Sequence, residues 1–152
     1  MDTILSRREF LKISAAAGGG LMLEFSIAGD AFGLPAGATE VTNWIVIYPD
    51  DRIMIRIARS EMGQGSLTGL AQLVAEELDC DWGKVSYEFV SPNEQVKRKR
   101  IWGSMSTGGS AGVRTSQDYL RKSGASAREM LIAAAATQWE VAVGDCSAES
   151  GW

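Results

Sequence analysis

The sequence predicts an α+β fold: an antiparallel hairpin plus a third strand, with two packed helices. Three patterns carry that reading. Residues 52–59 alternate, with Ile53, Ile55 and Ile57 against Arg52, Met54, Arg56 and Ala58, which is the period of a strand with one buried side. Residues 67–78 change to a period near 3.6, placing Leu67, Leu70, Ala71, Val74 and Leu78 in one stripe, as in a helix facing a core. Residues 114–139 keep a helical period over a longer span, with Leu120, Gly124, Ala127, Leu131, Ala134 and Gln138 on one face. Strand, strand, helix and strand followed by a long helix describe a layered α+β domain.

The elements follow in chain order. Residues 1–33 are expected to lie outside the fold as a leader. Ser6-Arg7-Arg8-Glu9-Phe10-Leu11-Lys12 is a twin-arginine pattern, and the apolar run behind it is rich in Ala and Gly. That run is shorter than the ~20 residues a membrane span needs. Small residues at 26–28 and 29–31 offer cleavage positions, so export to the periplasm by the twin-arginine route is expected. That route carries folded proteins, often with a cofactor already inserted.

The domain proper is expected over 34–152, beginning with a loop at 33–41. Trp44-Ile45-Val46-Ile47-Tyr48 is apolar on both faces, as in a central strand. Pro49-Asp50-Asp51 supplies the hairpin turn, with proline at its first corner. Ser66 is placed to cap the helix at 67–78, which ends at Asp79-Cys80-Asp81-Trp82-Gly83. Residues 84–90 read as the third strand, setting Val85, Tyr87 and Phe89 against Ser86, Glu88 and Val90. Residues 91–100 read as a polar loop closing in Lys97-Arg98-Lys99-Arg100, either a solvated face or a charged lid over phosphate. Ser110 or Ser116 would cap the final helix, from which Arg121, Lys122, Arg128 and Glu129 point away. Residues 141–152 form a short tail.

Composition narrows the chemistry. A chain of 152 residues can bury one ordinary core. A net charge of −4 argues against general nucleic-acid binding. There is no histidine, which removes the commonest general base and metal ligand together. Cys80 and Cys146 lack any CxxC-type spacing, so no zinc or iron–sulfur site is expected. Two unpaired core thiols are the simpler reading, and one disulfide is the alternative in an exported protein.

Two glycine-rich stretches are the candidate site. Glu61-Met62-Gly63-Gln64-Gly65-Ser66-Leu67-Thr68 joins a strand to a helix. Glycines there let backbone N–H groups come close to a ligand, and the helix N-terminus favours an anion. Gln64 adds a directional amide. The second stretch, residues 101–112, has seven Gly or Ser among twelve residues and supplies closely spaced N–H and hydroxyl donors. The two bends are expected to face one anionic ligand. A pair of ordinary turns is the plainer alternative.

Glu61-Met62-Gly63-Gln64-Gly65, residues 73–79 (Leu-Val-Ala-Glu-Glu-Leu-Asp), Ser106-Thr107-Gly108-Gly109-Ser110 with Val113-Arg114, and the helix from Leu120 to Leu131 resemble the large subunit of the molybdenum hydroxylases, the xanthine dehydrogenase family. The resemblance extends to the exported group typified by the isoquinoline 1-oxidoreductase beta subunit and to the membrane-bound aldehyde dehydrogenases. The resemblance implies an N-terminal, partial molybdopterin-binding domain with a molybdopterin cytosine dinucleotide cofactor. It places Met62, Gly63, Gln64, Gly65, Ser66 and Thr68 against that cofactor, with Thr107, Gly108, Gly109, Ser110 and Arg114 at its phosphate or pterin portion. It implies hydroxylation of an N-heterocycle or aldehyde with water as oxygen source. Its partners would be the remainder of the large subunit, a small subunit with two [2Fe-2S] clusters and, in some members, a cytochrome c. The family's catalytic glutamate lies far toward the C-terminus of a much longer subunit and has no counterpart here. No catalytic residue and no metal ligand is therefore assigned, and the chain alone is expected to be inactive. A free-standing periplasmic module for a nucleotide-like anion and an inactive truncated reading frame are the other readings.

Overall fold

The turn after Tyr48 starts the sheet. The Asp51 N–H donates to the Tyr48 carbonyl at 3.1 Å, with Pro49 at the first corner, and Asp51 takes a left-handed φ of 66°. A turn of this kind suits the right-handed twist of the flanking strands. In the computed structural model, which describes residues 36–151, β2 (Ile45–Ile47) and β3 (Ile53–Ile57) accordingly pair antiparallel, with Ile45↔Ile55, Val46↔Met54 and Ile47↔Ile53 opposed. The expected leader lies outside the described residues.

The sheet has four strands in the order β1-β2-β3-β4. β1 (Thr39–Thr42) pairs antiparallel with β2 across a bulge, so the expected loop at 33–41 is corrected in its second half. Thr-Glu-Val-Thr buries only Val41, and a single apolar residue gives no period to read. β4 (Val85–Phe89) runs parallel to β3, because the chain crosses the sheet through α1 (Ser66–Leu78) before returning. β4 is the edge: Tyr87 and Phe89 are 37% and 46% exposed.

α2 (Pro92–Lys97) occupies what reads in the sequence as a polar loop. Its start is well specified. Ser91 accepts from the Glu94 N–H at 3.1 Å, Pro92 stands at the first helical position, and Glu94 places a carboxylate in the first turn. The final helix begins later than its period indicates. α3 (Ala111–Arg114) is one short turn, and α4 (Gln117–Trp139) follows after a break at Thr115 and Ser116.

α1 and α4 pack side by side on one face of the sheet. Their core joins Ile45, Ile47, Ile53, Ile55 and Ile57 to Leu70, Val74, Leu78, Leu120 and Ala127. The face of α4 that carries Gly124 and Ala127 is made largely of small residues. A Cβ on Gly124 would stand 2.6 Å from the Val74 carbonyl oxygen and 3.0 Å from the Glu77 Cβ, so α4 passes almost against the α1 backbone. At the outer rim Arg121 pairs with Glu77 at 2.5 Å.

The other face of β3 is also covered, which corrects the hairpin with one buried side. Arg56, read as solvent-facing, is 1% exposed. Segment 91–105 returns over it and brings Trp102 and Arg98. Glu40 is shared by both cations, meeting Arg56 at 2.6 Å and Arg98 at 2.5 Å, and Glu88 lies 3.6 Å from Arg56. The two guanidinium groups lie 5.8 and 4.9 Å from the Trp102 ring centre, and the indole N–H donates to the Asn43 carbonyl at 2.7 Å. A buried charge is tolerated where it is paired in this way. Arg98 is thereby taken out of the basic run as a structural residue, while Lys97, Lys99 and Arg100 stay closer to solvent.

Cys80 and Cys146 are not joined by a disulfide, and both are half-buried rather than in the core. Among the described residues no helix is long and apolar enough to cross a membrane.

Candidate functional site

The strand-to-helix turn after β3 is organised by Glu61. Its carboxylate accepts from the Gly63, Gly65 and Leu67 N–H groups, each at 2.9 Å, and from the Ser66 hydroxyl at 3.4 Å. The Leu67 N–H contributes most to holding the Glu61 carboxyl below its ordinary value; partial desolvation opposes it, and Gly65, Gly63 and Ser66 add to it. Helix α1 begins at Gly65, in a left-handed conformation with no side-chain cap of its own. Glu61 thus performs the capping role expected of Ser66. It also occupies the positive end of the helix dipole, where the sequence places a ligand.

Gln64 is tied into the same turn. Its carbonyl accepts from the Met62 N–H at 2.6 Å, and its amide donates to the Ser60 carbonyl at 2.9 Å and the Ser66 hydroxyl at 2.6 Å. Both amide hydrogens are engaged, leaving one lone pair of the carbonyl.

Ser60 carries the link to the second glycine-rich stretch. Its carbonyl also accepts from the Thr107 hydroxyl at 2.7 Å, and its own N–H and hydroxyl donate to the Met105 carbonyl at 3.0 and 2.8 Å. One residue farther back, Arg59 donates to the Ser106 carbonyl at 2.6 Å, the Ser116 hydroxyl at 2.7 Å and the Thr115 hydroxyl at 2.8 Å. Three bonds from one guanidinium fix the 106–110 loop and the α3–α4 break to the end of β3. Ser116 spends its oxygen on Arg59, and neither it nor Ser110 caps a helix through its side chain. This corrects the capping role the sequence assigns to them.

The two stretches face one open cleft of about 360 Å³. Five of the expected residues line it: Gln64, Gly65, Ser66, Thr107 and Ser110. Gly69, Gly112 and Val113 line it as well; Gly112 falls in the second stretch and Val113 beside it, but none of the three is assigned to the site from sequence. Gly112 lies where the two elements meet: a Cβ there would be in ordinary contact with both, 3.4 Å from Thr107 Cγ2 and 3.6 Å from Ser66 Cβ, so a longer side chain would project between them. The remaining expected residues stand elsewhere. Met62 is 76% exposed. Thr68 shares a hydrogen bond of 2.9 Å with the Tyr87 hydroxyl. Arg114 is exposed and donates to the Gly109 carbonyl at 3.3 Å. Gly63, Gly108 and Gly109 shape the turns without lining the cleft; Gly109 lies at φ 65°.

This arrangement suits a neutral, hydrogen-bonding part of a ligand. The lining offers hydroxyls, an amide and bare backbone, with no lysine or arginine. A Cβ added at Gly65 or Gly69 would meet nothing within 4 Å, so the cleft is open on that side. Among the described residues no three His, Cys, Asp or Glu side chains gather as metal ligands.

The molybdopterin cofactor-binding domain family matches residues 7–152 of this chain. The chain is similar to a membrane-bound aldehyde dehydrogenase (pyrroloquinoline-quinone) of Gluconacetobacter polyoxogenes, 40% identical over 136 residues, covering 84% of this chain and 17% of that protein. It is also similar to the isoquinoline 1-oxidoreductase subunit beta of Brevundimonas diminuta, 33% identical over 109 residues, covering 71% of this chain and 14% of that subunit. The chain therefore spans less than a fifth of the length of these curated relatives.

Proposed function

The chain belongs to the molybdopterin cofactor-binding domain family, and on that premise we propose that the cleft between residues 64–69 and 107–113 is one wall of the cofactor site in an exported molybdenum hydroxylase large subunit. The observation that carries the reading is the meeting of both glycine-rich stretches on one cleft, tied together through Ser60. Cofactor sites are concave, with a few placed polar groups. Here the oxygens of Gln64, Ser66 and Thr107, whose hydrogens are already donated within the turns, would accept from the cofactor's neutral N–H edges, with the Ser110 hydroxyl beside them. The phosphates fit this wall poorly, because Glu61 already takes the N–H groups at the start of α1 and no cation lines the cleft. Their charge would be met by residues outside this chain.

When bound, the group supplies the redox chemistry of oxidative hydroxylation, with an N-heterocycle or aldehyde as substrate and water as oxygen source. This chain's residues bind and orient it. The cytosine dinucleotide form, a [2Fe-2S] partner subunit, a cytochrome c acceptor and export by the twin-arginine route belong to the same proposal. One relative is named for pyrroloquinoline quinone; we favour molybdopterin because the match to its binding-domain family spans nearly the whole chain.

The test is cofactor content. This chain would be expressed with the remainder of a relative's large subunit, then assayed for molybdenum and for the nucleotide released by mild acid. Molybdenum with cytidine monophosphate is the expected result, and Gly112→Val, which closes the cleft at Ser66 and Thr107, should deplete both. Quinone in place of molybdenum, or undiminished molybdenum in the Gly112→Val protein, would refute the assignment.

A further inference from the structure

Three arginines of the described residues are nearly inaccessible, and two of them have carboxylates supplied by the fold. Arg56 meets Glu40 and Glu88 at 2.6 and 3.6 Å, and Arg98 meets Glu40. Arg59, 7% exposed, is the exception. Its three acceptors are neutral oxygens, those of Ser106, Ser116 and Thr115, and it has no ion pair among the described residues. Glu61, two residues on, has its carboxylate turned to the start of α1. A cation withdrawn from water without a counter-charge is costly, and folds ordinarily avoid it.

Arg59 is not sealed off. It lines a recess of about 250 Å³ shared with Trp44, Tyr119, Trp102, Ile101 and Ser104. Five N–H donors less three bonds leave one on each terminal nitrogen. The walls are flat and apolar: the Trp44 and Tyr119 rings stack with centroids 4.9 Å apart at 30°. The Tyr119 hydroxyl and the Trp44 indole N–H have no hydrogen-bond partner among the described residues. An inward-facing arginine with two spare donors, ringed by aromatic surface, matches an anion carried on a flat apolar body. At about 250 Å³ the recess is smaller than the usual ligand pocket of roughly 300–1,000 Å³, which limits it to a single ring.

We propose that this recess binds a small aromatic carboxylate, whose carboxyl group supplies the counter-charge that Arg59 does not find among the described residues. It shares no lining residue with the glycine-lined cleft, so the inference stands whether or not that cleft holds molybdopterin. A strongly hydrated dianion such as phosphate is disfavoured, because the aromatic walls cannot replace its water.

The experiment titrates the full chain with benzoate, benzamide and inorganic phosphate, following the indole N–H resonance of Trp44, assigned through Trp44→Phe. Benzoate should shift that resonance saturably. Benzamide, the uncharged near-isostere, should bind roughly tenfold weaker or less, the cost of a missing charge-assisted pair, and phosphate should not compete. Arg59→Met should abolish the benzoate shift. That variant loses three structural bonds and can unfold, so Ile101→Trp is the second arm: Ile101 is 42% exposed at the rim, and the larger ring fills the recess without touching Arg59's bonds. Loss of the shift in a folded Ile101→Trp protein supports the site. Equal binding of benzoate and benzamide, competition by phosphate, no saturable shift, or a shift that survives Ile101→Trp would each overturn it.

Discussion

Replacing Gly124 by alanine sets two effects of opposite sign against each other in α4. Taken alone, Gly→Ala inside a helix is favourable by about 1 kcal/mol, because glycine loses the most backbone freedom on folding. Packing opposes this. The added methyl would stand 2.6 Å from the Val74 carbonyl oxygen and 3.0 Å from the Glu77 Cβ. A backbone carbonyl inside α1 cannot turn aside, so the helices must separate. A gap of roughly 0.5–1 Å forfeits a quarter to a half of each dispersion contact across it, and Val74, Leu78, Leu120 and Ala127 all pack at this layer. Overpacking of a close-packed interior costs about 1–3 kcal/mol, and a backbone clash belongs at the upper end of that range. The net expectation is a loss of ~1–2 kcal/mol. Urea unfolding at constant m-value would measure it, with Ser126→Ala on the same helix as control. A stabilised Gly124→Ala protein would show that propensity outweighs contact here and that α1 and α4 are not in backbone-level contact.

Three other perturbations test the ion pairs and the turn. Glu40→Ala removes the carboxylate shared by Arg56 and Arg98 and should cost about 3–5 kcal/mol, as for a broken buried pair; a thermal midpoint unchanged from wild type would contradict the burial of Arg56. Glu61→Gln should destabilise at neutral pH. Since the folded Glu61 carboxyl is held low, its contribution is present above the unfolded value and is lost as pH falls through the folded one. The wild-type and Glu61→Gln unfolding midpoints should converge in acid, and a pH-independent difference would exclude the capping role. Glu88 has the opposite sign: burial raises its carboxyl, against the pull of Arg56 and with repulsion from Glu94. Its contribution therefore favours the fold below the unfolded value and fades as pH rises through the folded one, so Glu88→Gln should leave stability at neutral pH equal or improved. A marked loss would mean that the Arg56 pair outweighs desolvation.

Much of the architecture was legible because periodicity reports burial locally. The alternation of Ile53, Ile55 and Ile57 identified β3, Pro49 marked the turn, and the small face around Gly124 announced a close helix pair. The glycine-rich stretches were legible as a candidate site for the same reason, since Gly and Ser mark where backbone is left bare. Ser91-Pro92-Asn93-Glu94 also announced α2 through its cap, a signal that the surrounding polarity hid.

Local pattern was enough to set the succession of elements and the face of each that seeks a core. The partners of the charged residues were chosen only when the chain packed. Arg56 occupies a polar position in the pattern of β3 and Arg59 follows just past its end, yet both are buried: Arg56 because Glu40 and Trp102 converge on it from β1 and segment 91–105, Arg59 because Ser106, Thr115 and Ser116 do. Likewise Glu61, not Ser66, caps α1, and Gly112 rather than Arg114 reaches the cleft. A run of residues encodes how strongly its segment avoids water. Which opposite charge or acceptor arrives from some 40–60 positions away depends on the folded whole, and no local period records it.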